Sequence, residues 1–254
     1  MSLLKCEGVV LRVRDFGEAD RILTILSDTD GKFDAVARGA RRPRSRLVGV
    51  TQQFSRGNML LFRGRSLDTL NTFELLSSYA NLSLDVEKMA YASYVAELVD
   101  LMTGERQLNE LLYALVVSTF EALDAGPADP EIVLRAFEIK FMSVSGFRPE
   151  LSRCVLCGAS EDEASWFGPE AGGLLCDRCR SVDAGATRFS GATRELAERL
   201  LLWDYNTLAV LKAGRDSSME LETAFRAYVD QRVGRKLHSL DFISDLKSME
   251  RGGR

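Results

Sequence analysis

The chain has 254 residues, of which 46% are hydrophobic and 28% charged, and this suits one large or two to three small domains with packed cores. It begins without a charged-then-apolar leader, and no uninterrupted apolar stretch approaches the roughly eighteen residues of a membrane helix. We therefore expect a globular cytoplasmic protein that is neither exported nor inserted into a membrane.

The formal net charge of −4 conceals an uneven distribution. Residues 1–80 hold thirteen lysines and arginines against nine acidic residues, a balance of +4, so the rest of the chain carries −8. Within residues 38–65 there are eight arginines and no acidic residue. This clustering is the electrostatic footprint of a polyanion site, even in a chain that is acidic as a whole.

The first eighty residues predict β-structure. Five β-prone runs alternate with turn signals, at 9–13, 22–26, 33–37, 59–62 and 67–76. Five short strands in so small a segment indicate a closed barrel. The OB-fold, which offers one face and its loops to oligonucleotides, and an SH3-like barrel both fit, because strand number alone does not separate them.

Residues 38–46 (RGARRPRSR) place five arginines in nine positions, and the glycine and proline among them favour a loop. Arginine binds phosphate through paired hydrogen bonds and stacks on bases, so the loop fits a strand of nucleic acid. A solvated loop whose charge repulsion is tolerated is the alternative. The predicted nucleic-acid-binding residues are Lys32, Arg38, Arg41, Arg42, Arg44, Arg46 and Arg56. Phe33 is the predicted base contact, and most other phenylalanines of the barrel are assigned to its core.

From residue 83 the hydrophobic period becomes helical. Apolar residues recur every three or four positions over 86–102 and 108–119, which predicts two amphipathic helices. A third helix is predicted from Asp129 as N-cap, with Pro130 at its first position, to a stop near Gly146. This third helix is apolar on more than one side, so we expect it at the centre of its bundle.

Two further helices are predicted near the C-terminus. One carries apolar positions over 196–203, and the other begins at a capping box formed by Ser217 and Glu220. We expect the helices to pack as one domain from which a small metal-binding segment projects. The predicted division is a barrel at 1–80, a first helical part at 81–152, a zinc finger at 153–182, a second helical part at 183–248 and a disordered tail at 249–254.

The metal prediction rests on two close cysteine pairs, Cys154 with Cys157 and Cys176 with Cys179, separated by eighteen residues. Two such pairs at turns can place four thiolates around one Zn²⁺ at about 2.3 Å. Because four thiolates leave no position for water or substrate, we predict a structural zinc. A disulfide-forming redox switch and two chance surface pairs are the alternatives. The fifth cysteine, Cys6, is assigned to the core.

The sequence contains no enzyme signature. It has no phosphate-binding loop, no nucleophile elbow and no histidine beside a nucleophile, and its one histidine, His238, is assigned to a helix start. Asp28, Asp30 and Asp34 suggest a metal-dependent nuclease cluster, but residues 29–31 (TDG) fit a hairpin turn better. We therefore expect a protein that is not an enzyme.

Several segments together resemble the RecO family of bacterial recombination mediators. The resemblance rests on residues 8–24 (GVVLRVRDFGEADRILT), 31–33 (GKF), 37–46 (ARGARRPRSR), 67–70 (LDTL), 90–94 (AYASY) and 146–151 (GFRPEL). It extends over nearly the whole chain and is loose over the C-terminal seventy residues. It implies an α+β multidomain fold, in which an N-terminal five-stranded OB-fold β-barrel is followed by an all-α domain carrying an inserted zinc finger with four cysteine ligands.

The same resemblance implies a function in DNA repair and recombination. Proteins of this kind bind single- and double-stranded DNA, anneal complementary strands and associate with RecR. They also help to load RecA onto strands coated by single-strand binding protein. The resemblance places the protein at the bacterial nucleoid within the cytoplasm.

Other functions and one partner site complete the sequence-based hypotheses. A zinc-ribbon RNA-binding or transcription-associated adaptor would use the same barrel and arginine loop, whereas a thiol-switch chaperone would release zinc on oxidation. For the acidic tail of single-strand binding protein we predict an apolar pocket in the third helix. Its cations would be Arg135, Lys140 and Arg148, beside Phe137 and Phe141.

Overall fold

The structure is a computed structural model that describes residues 2–160 and 164–252. Contacts between residues divide the chain into two compact units. Unit 1 comprises Met1–Ala125 with Leu237–Arg254, and unit 2 comprises Gly126–Lys236. This division differs from the predicted one, because the first two helices and the last one group with the barrel and not with the other helices.

Unit 1 begins with five strands, which correspond to the five predicted β-prone runs. They are β1 (Leu3–Phe16), β2 (Asp20–Ser27), β3 (Gly31–Ala37), β4 (Arg56–Phe62) and β5 (Asp68–Ser77). The strands close into a barrel in the order β1-β2-β3-β5-β4, and β3 and β5 pair in parallel through Ala35 with Asp68 and Val36 with Thr69. This strand order, closed by the pairing of β1 with β4 and containing the parallel β3–β5 pair, confirms the OB-fold and removes the SH3-like alternative, which strand number alone could not do.

Side chains along each strand point alternately into and out of the barrel, and this alternation determines which residues form its core. Along β3 every second residue from Gly31 to Ala37 is buried, because successive side chains of a strand point to opposite faces. Phe33 is one of the inward residues and is only 1% exposed, with the guanidinium of Arg106 5.3 Å from its ring centroid. The prediction that Phe33 contacts a base is therefore wrong. Cys6 is buried as predicted, and burial raises the pKa of its thiol to about 12.

Three helices complete unit 1: α1 (Val86–Met102), α2 (Glu110–Ala125) and α6 (His238–Gly252). The carboxylate of Glu97 in α1 accepts hydrogen bonds from the backbone N–H groups of His238 and Ser239, and so satisfies the free N-terminus of α6. His238 thus stands at a helix start, as predicted. The tail predicted to be disordered from residue 249 is helical as far as Gly252, since no glycine or proline interrupts residues 238–251. Residues 253 and 254 lie outside the described residues.

The three aspartates considered as a nuclease cluster have structural roles in unit 1. Asp28 accepts a hydrogen bond from the backbone of Glu7, and Asp34 accepts one from the hydroxyl of Thr24. Asp30 lies in the β2–β3 hairpin turn, where its carboxylate pairs with two arginines. The hairpin interpretation therefore accounts for their positions.

The segment between α1 and α2 is tied to the barrel by Arg106. Its backbone N–H donates to the carbonyl of Lys32, and its guanidinium pairs with Asp30 and with Asp68. Asp68 is completely buried and lies 3.0 Å from the Arg106 guanidinium. A buried carboxylate is stable only when paired and hydrogen-bonded, so Arg106 is the cation that Asp68 requires.

Replacement of Arg106 by alanine is expected to destabilise unit 1 by about 2–3 kcal/mol, because Asp68 would lose its cation. The loss of stability should be smaller than for a fully buried ion pair, because the Arg106 side chain is 32% exposed and solvent weakens its attraction to Asp68. Urea unfolding would measure the change. The exposed Arg65→Ala variant is the control and should shift stability by less than about 0.5 kcal/mol. Equal stability of the two variants would contradict this role.

Within its described residues, unit 2 contains three α-helices and a small sheet. The helices are α3 (Pro130–Val144), α4 (Gly191–Leu202) and α5 (Arg215–Val233), and the strands are β6 (Ala164–Gly168), β7 (Gly173–Cys176) and β8 (Thr187–Arg188), in the order β7-β6-β8. As predicted, Asp129 caps α3 by accepting from the N–H groups of Glu131 and Ile132. Gly146 follows the helix with φ +87°, a left-handed conformation that favours glycine.

The predicted capping box at the start of α5 does not form. Gly214 is the N-cap of α5, and Ser217 donates its hydroxyl hydrogen bond to the carbonyl of Gly214. Glu220 instead accepts hydrogen bonds from the backbone N–H of Ser190 and the hydroxyl of Thr193, at the beginning of α4. The carboxylate therefore caps the neighbouring helix, which local sequence spacing does not reveal. No helix in the described ranges is long and apolar enough to cross a membrane.

Candidate functional site

The four cysteines of unit 2 form one cluster, as predicted. The sulfur atoms of Cys154, Cys157, Cys176 and Cys179 all lie within 4.8 Å of one another. Each pair is held by a turn, in which the N–H of Gly158 donates to the carbonyl of Cys154 and the N–H of Cys179 donates to that of Cys176. Strand β7 carries the second pair into position at its end. Two turns on one small sheet thus bring together residues from two parts of the sequence.

The electrostatics of the cluster favour a bound cation. Burial raises the pKa of Cys154, but backbone N–H groups of Cys157, Cys176 and Leu156 outweigh it and lower the pKa to about 6. Hydrogen bonds that Cys179 makes with Cys176 and Cys157 raise the pKa of Cys179 to about 12. Without a cation, four adjacent sulfurs cannot all be thiolates. A divalent metal would remove this repulsion, and four sulfurs form a suitable donor set for it.

The second candidate site is the segment 38–55 between β3 and β4, which we call the arginine loop. Its five arginines at the N-terminal end are all exposed, namely Arg38, Arg41, Arg42, Arg44 and Arg46. Gly39 has φ +66°, so the chain turns sharply as it leaves β3. The first part of the loop therefore displays guanidinium groups at one edge of the barrel.

The arginine loop is attached to the turn between β1 and β2. The backbone N–H of Gly39 donates to the carboxylate of Asp20 at 2.7 Å, and that of Arg41 donates to the carbonyl of Ala19 at 2.9 Å. Both hydrogen bonds use backbone N–H groups of the loop, so they leave the arginine side chains exposed. The turn and the loop form one continuous surface.

The remainder of the arginine loop is packed against the barrel. Ala40 is completely buried, and Leu47 packs against the barrel core. Thr51 is also buried, its hydroxyl donates to the carbonyl of Leu47, and its carbonyl accepts from Arg21 at 3.0 Å. Because the loop has its own buried anchors, its exposed arginines project from a fixed backbone.

Acidic residues lie closer to the arginine loop than the sequence suggests. No acid occurs between residues 38 and 65, but the attached turn brings the carboxylate of Asp15 to 3.5 Å from the guanidinium of Arg41. For the described residues, no ion pair is found at Arg38, Arg42, Arg44 or Arg46. The expectation that no acid neutralises the run is therefore wrong for Arg41 alone.

Two residues of the predicted nucleic-acid site lie apart from this surface. Lys32 pairs with Asp100 of α1 at 3.1 Å, and its side chain is only 13% exposed. Arg56 pairs with Glu7 at 2.5 Å and with Glu121 at 2.7 Å. Both cations attach helices to the barrel within unit 1. The ion pairs of Lys32 and Arg56 could not be foreseen, because their acidic partners are distant in sequence, and the five loop arginines stay a prediction.

The turn between β1 and β2 had no predicted role, and the structure adds it to the candidate site. Phe16, the last residue of β1, is 48% exposed, and the next residue, Gly17, accepts a hydrogen bond through its carbonyl from the Arg41 guanidinium at 3.4 Å. In the sequence, an aromatic residue directly before a turn glycine could have indicated an exposed ring at this turn.

The predicted pocket for an acidic peptide is not formed by the residues assigned to it. Phe137 and Phe141 are completely buried, because α3 is the central helix of unit 2. Arg135 pairs with Glu138 at 2.7 Å and with Glu222, while Lys140 donates to backbone carbonyls at the end of α4.

A cavity of about 200 Å³ does lie beside Arg135, but the acidic residues Asp129 and Glu131 also line it. Their charge opposes an acidic ligand. Of the three predicted cations of the pocket, only Arg148 is exposed.

Comparison with known proteins relates both units to one family. Residues 1–79 match the family model described as Recombination protein O N terminal, and residues 83–241 match the one described as Recombination protein O C terminal. Together these matches extend over nearly the entire chain, and the boundary between them falls between β5 and α1.

Full-length relatives agree with these matches. The protein called DNA repair protein RecO of Symbiobacterium thermophilum is 41% identical over 251 residues, which cover 98% of this chain and 99% of that protein. Those of Alkaliphilus metalliredigens and Bacillus subtilis are 37% and 34% identical, over 89% and 98% of this chain and 92% and 96% of their own lengths.

Proposed function

Because this chain belongs to the RecO family of DNA repair and recombination proteins, we propose that it binds DNA through its arginine loop and acts as a recombination mediator without enzymatic activity. The observation that carries the proposal is the display of five exposed arginines from a loop fixed to an OB-fold barrel. Loops and one face of such barrels are the usual binding surface for nucleic acid.

Fixed arginines suit the phosphate backbone. Each guanidinium can donate two parallel hydrogen bonds to a phosphate, and binding releases counterions from the DNA, so affinity falls as salt rises. Contacts of this kind do not depend on base sequence. A mediator that acts on any damaged region requires such sequence-independent binding, whereas a transcription-associated adaptor would gain from base-specific contacts.

The finer activities are also proposals. We propose that the protein binds both single- and double-stranded DNA, anneals complementary strands, and with RecR helps to load RecA onto strands coated by single-strand binding protein. Family membership supports these steps. Neutralisation of phosphates by the arginine loop would assist annealing in particular, because it reduces the repulsion between two approaching strands.

We further propose that the cysteine cluster binds one structural Zn²⁺. Its four sulfurs lie within 4.8 Å of one another, which matches the approach of thiolates in a tetrahedral site. Zinc is favoured over harder divalent ions because all ligands are sulfur. A closed set of four thiolates would hold together the two turns and the sheet of unit 2 and would leave no place for catalysis.

Replacement of Cys176 by alanine should reduce zinc from about one equivalent per chain to near zero, because three thiolates remain. If zinc is present at about a thousand times its Kd, its loss should destabilise unit 2 by ~4 kcal/mol. Metal analysis and thermal unfolding would measure both effects. Cys6→Ala removes a thiol outside the cluster and should keep its zinc. Retention of zinc by the Cys176 variant would contradict the site.

The arginine loop is tested by replacing Arg41, Arg42 and Arg44 together with alanine. If five phosphates are engaged on a single strand, the slope of log affinity against log salt should be about −3.5 for the native protein and near −1.4 for the variant, from roughly −0.7 per contact. Fluorescence anisotropy at several salt concentrations would measure the slope. The same variant should anneal complementary strands coated by single-strand binding protein more slowly than the native protein.

Two controls accompany this variant. Asp15→Asn removes the acid that pairs with Arg41, so it should raise affinity about twofold to fivefold, as expected from the strength of an exposed ion pair. Zinc content and the thermal midpoint of the triple variant should equal those of the native protein, since the replaced side chains are exposed. Native affinity, salt slope and annealing rate in the triple variant would contradict the proposal.

A further inference from the structure

An exposed aromatic residue lies at the edge of the barrel where the arginine loop is attached. Phe16 pairs with Asp20 across the turn between β1 and β2, and its side chain is 48% exposed. It does not belong to the cluster of residues that forms the barrel core. About half of this large apolar residue is therefore accessible to a ligand.

The ring stands next to the phosphate-binding residues proposed above. The carbonyl of Gly17, adjacent to Phe16, accepts from the guanidinium of Arg41, and the carbonyl of Ala19 accepts from the Arg41 backbone. These hydrogen bonds fix the turn and the arginine loop against each other. A strand whose phosphates contact the loop would therefore lie near the turn that carries the exposed Phe16.

Other phenylalanines of the barrel do not offer a ring at this place. Phe33 and Phe54 are buried, and Phe73 packs against the core. Phe62 is 37% exposed, but it pairs with Leu3 at the opposite end of β1. Leu3 and Phe16 are the first and last residues of β1, thirteen positions apart, which corresponds to at most roughly 40 Å along the strand. Phe62 is therefore a matched aromatic residue on the same barrel but distant from the loop.

We infer that Phe16 stacks against an unpaired base of a single strand whose phosphates are held by the arginine loop. The inference rests on the proposed function and adds to it the residue that distinguishes single strands. Phosphate contacts act on single strands and duplexes alike, whereas an aromatic ring can stack only on a base that is not enclosed in a duplex. Stacking also accepts every base, because each has a π-face, so the site remains independent of sequence.

The stacking contribution can be separated from the phosphate contribution with two probes of equal charge. One is an oligodeoxythymidine, and the other is an abasic strand of the same length that has phosphates and sugars only. The native protein should bind the thymidine strand about tenfold more tightly, as expected for one stacked base. Phe16→Ala should reduce this preference to below about twofold while leaving affinity for the abasic strand and the salt slope unchanged.

Three further variants decide between stacking and ordinary surface packing. Phe16→Leu keeps an apolar side chain without a ring and should lose the preference as Phe16→Ala does, whereas Phe16→Trp should restore it. Phe62→Ala should bind both probes as the native protein does. Thermal unfolding should show that every variant is folded at the temperature of the binding measurements, because neither phenylalanine belongs to the buried core of the barrel.

The outcomes distinguish this inference from the proposed function. An undiminished preference for thymidine in Phe16→Ala, or an equal loss in Phe62→Ala, would overturn the stacking role. In either case, weak binding of both probes by the Arg41, Arg42 and Arg44 triple variant would leave the arginine loop in place as the phosphate site. Native binding of both probes by that triple variant would instead overturn the proposed DNA site, on which the inference depends.

Discussion

The attachment of the arginine loop to the turn between β1 and β2 is the constraint on which the proposed site depends. Two backbone N–H groups of the loop, those of Gly39 and Arg41, donate to the carboxylate of Asp20 and the carbonyl of Ala19 and so join segments about twenty residues apart in sequence. A free loop with five like charges would extend through repulsion, and it would lose conformational entropy on binding DNA. The attached loop is already ordered, so its arginines meet phosphates at lower entropic cost. The same attachment places the turn that contains Phe16 against the loop and Asp15 against Arg41, so the proposed phosphate contacts, the inferred stacking and one opposing charge would share a single edge of the barrel.

Cations elsewhere in unit 1 serve the fold. Lys32, Arg56 and Arg106 all pair with carboxylates that belong to other elements, and Arg106 neutralises the buried Asp68. These pairs connect the barrel to α1, to α2 and to the segment between them. Within the described residues, Arg38, Arg42, Arg44 and Arg46 of the arginine loop form no such pair, and Arg41 pairs only with the exposed Asp15. Most of the charge of the loop is therefore not neutralised within the fold.

Features encoded by neighbouring residues could be predicted from the sequence, and features that depend on distant partners could not. The five strands, the cap of α3 at Asp129 and the cysteine cluster all follow from local spacing and were predicted correctly. The ion pair of Lys32 joins residues 68 positions apart, and Glu220 caps a helix that begins 30 residues earlier. Phe33 begins one predicted β-prone run, and Phe16 follows another by three residues. Only the closed barrel shows that the first points inward and the second lies exposed.

Photocrosslinking would test the location of the DNA site most directly. A single-stranded oligonucleotide carrying 5-iododeoxyuridine would be irradiated with the native protein at low salt, and the crosslinked peptides would be identified by mass spectrometry. We expect crosslinks in the turn that contains Phe16 and in residues 38–46 of the arginine loop, and we expect them to disappear as salt rises. Crosslinks confined to residues 126–236, with none in the barrel, would contradict this location and place the site in unit 2.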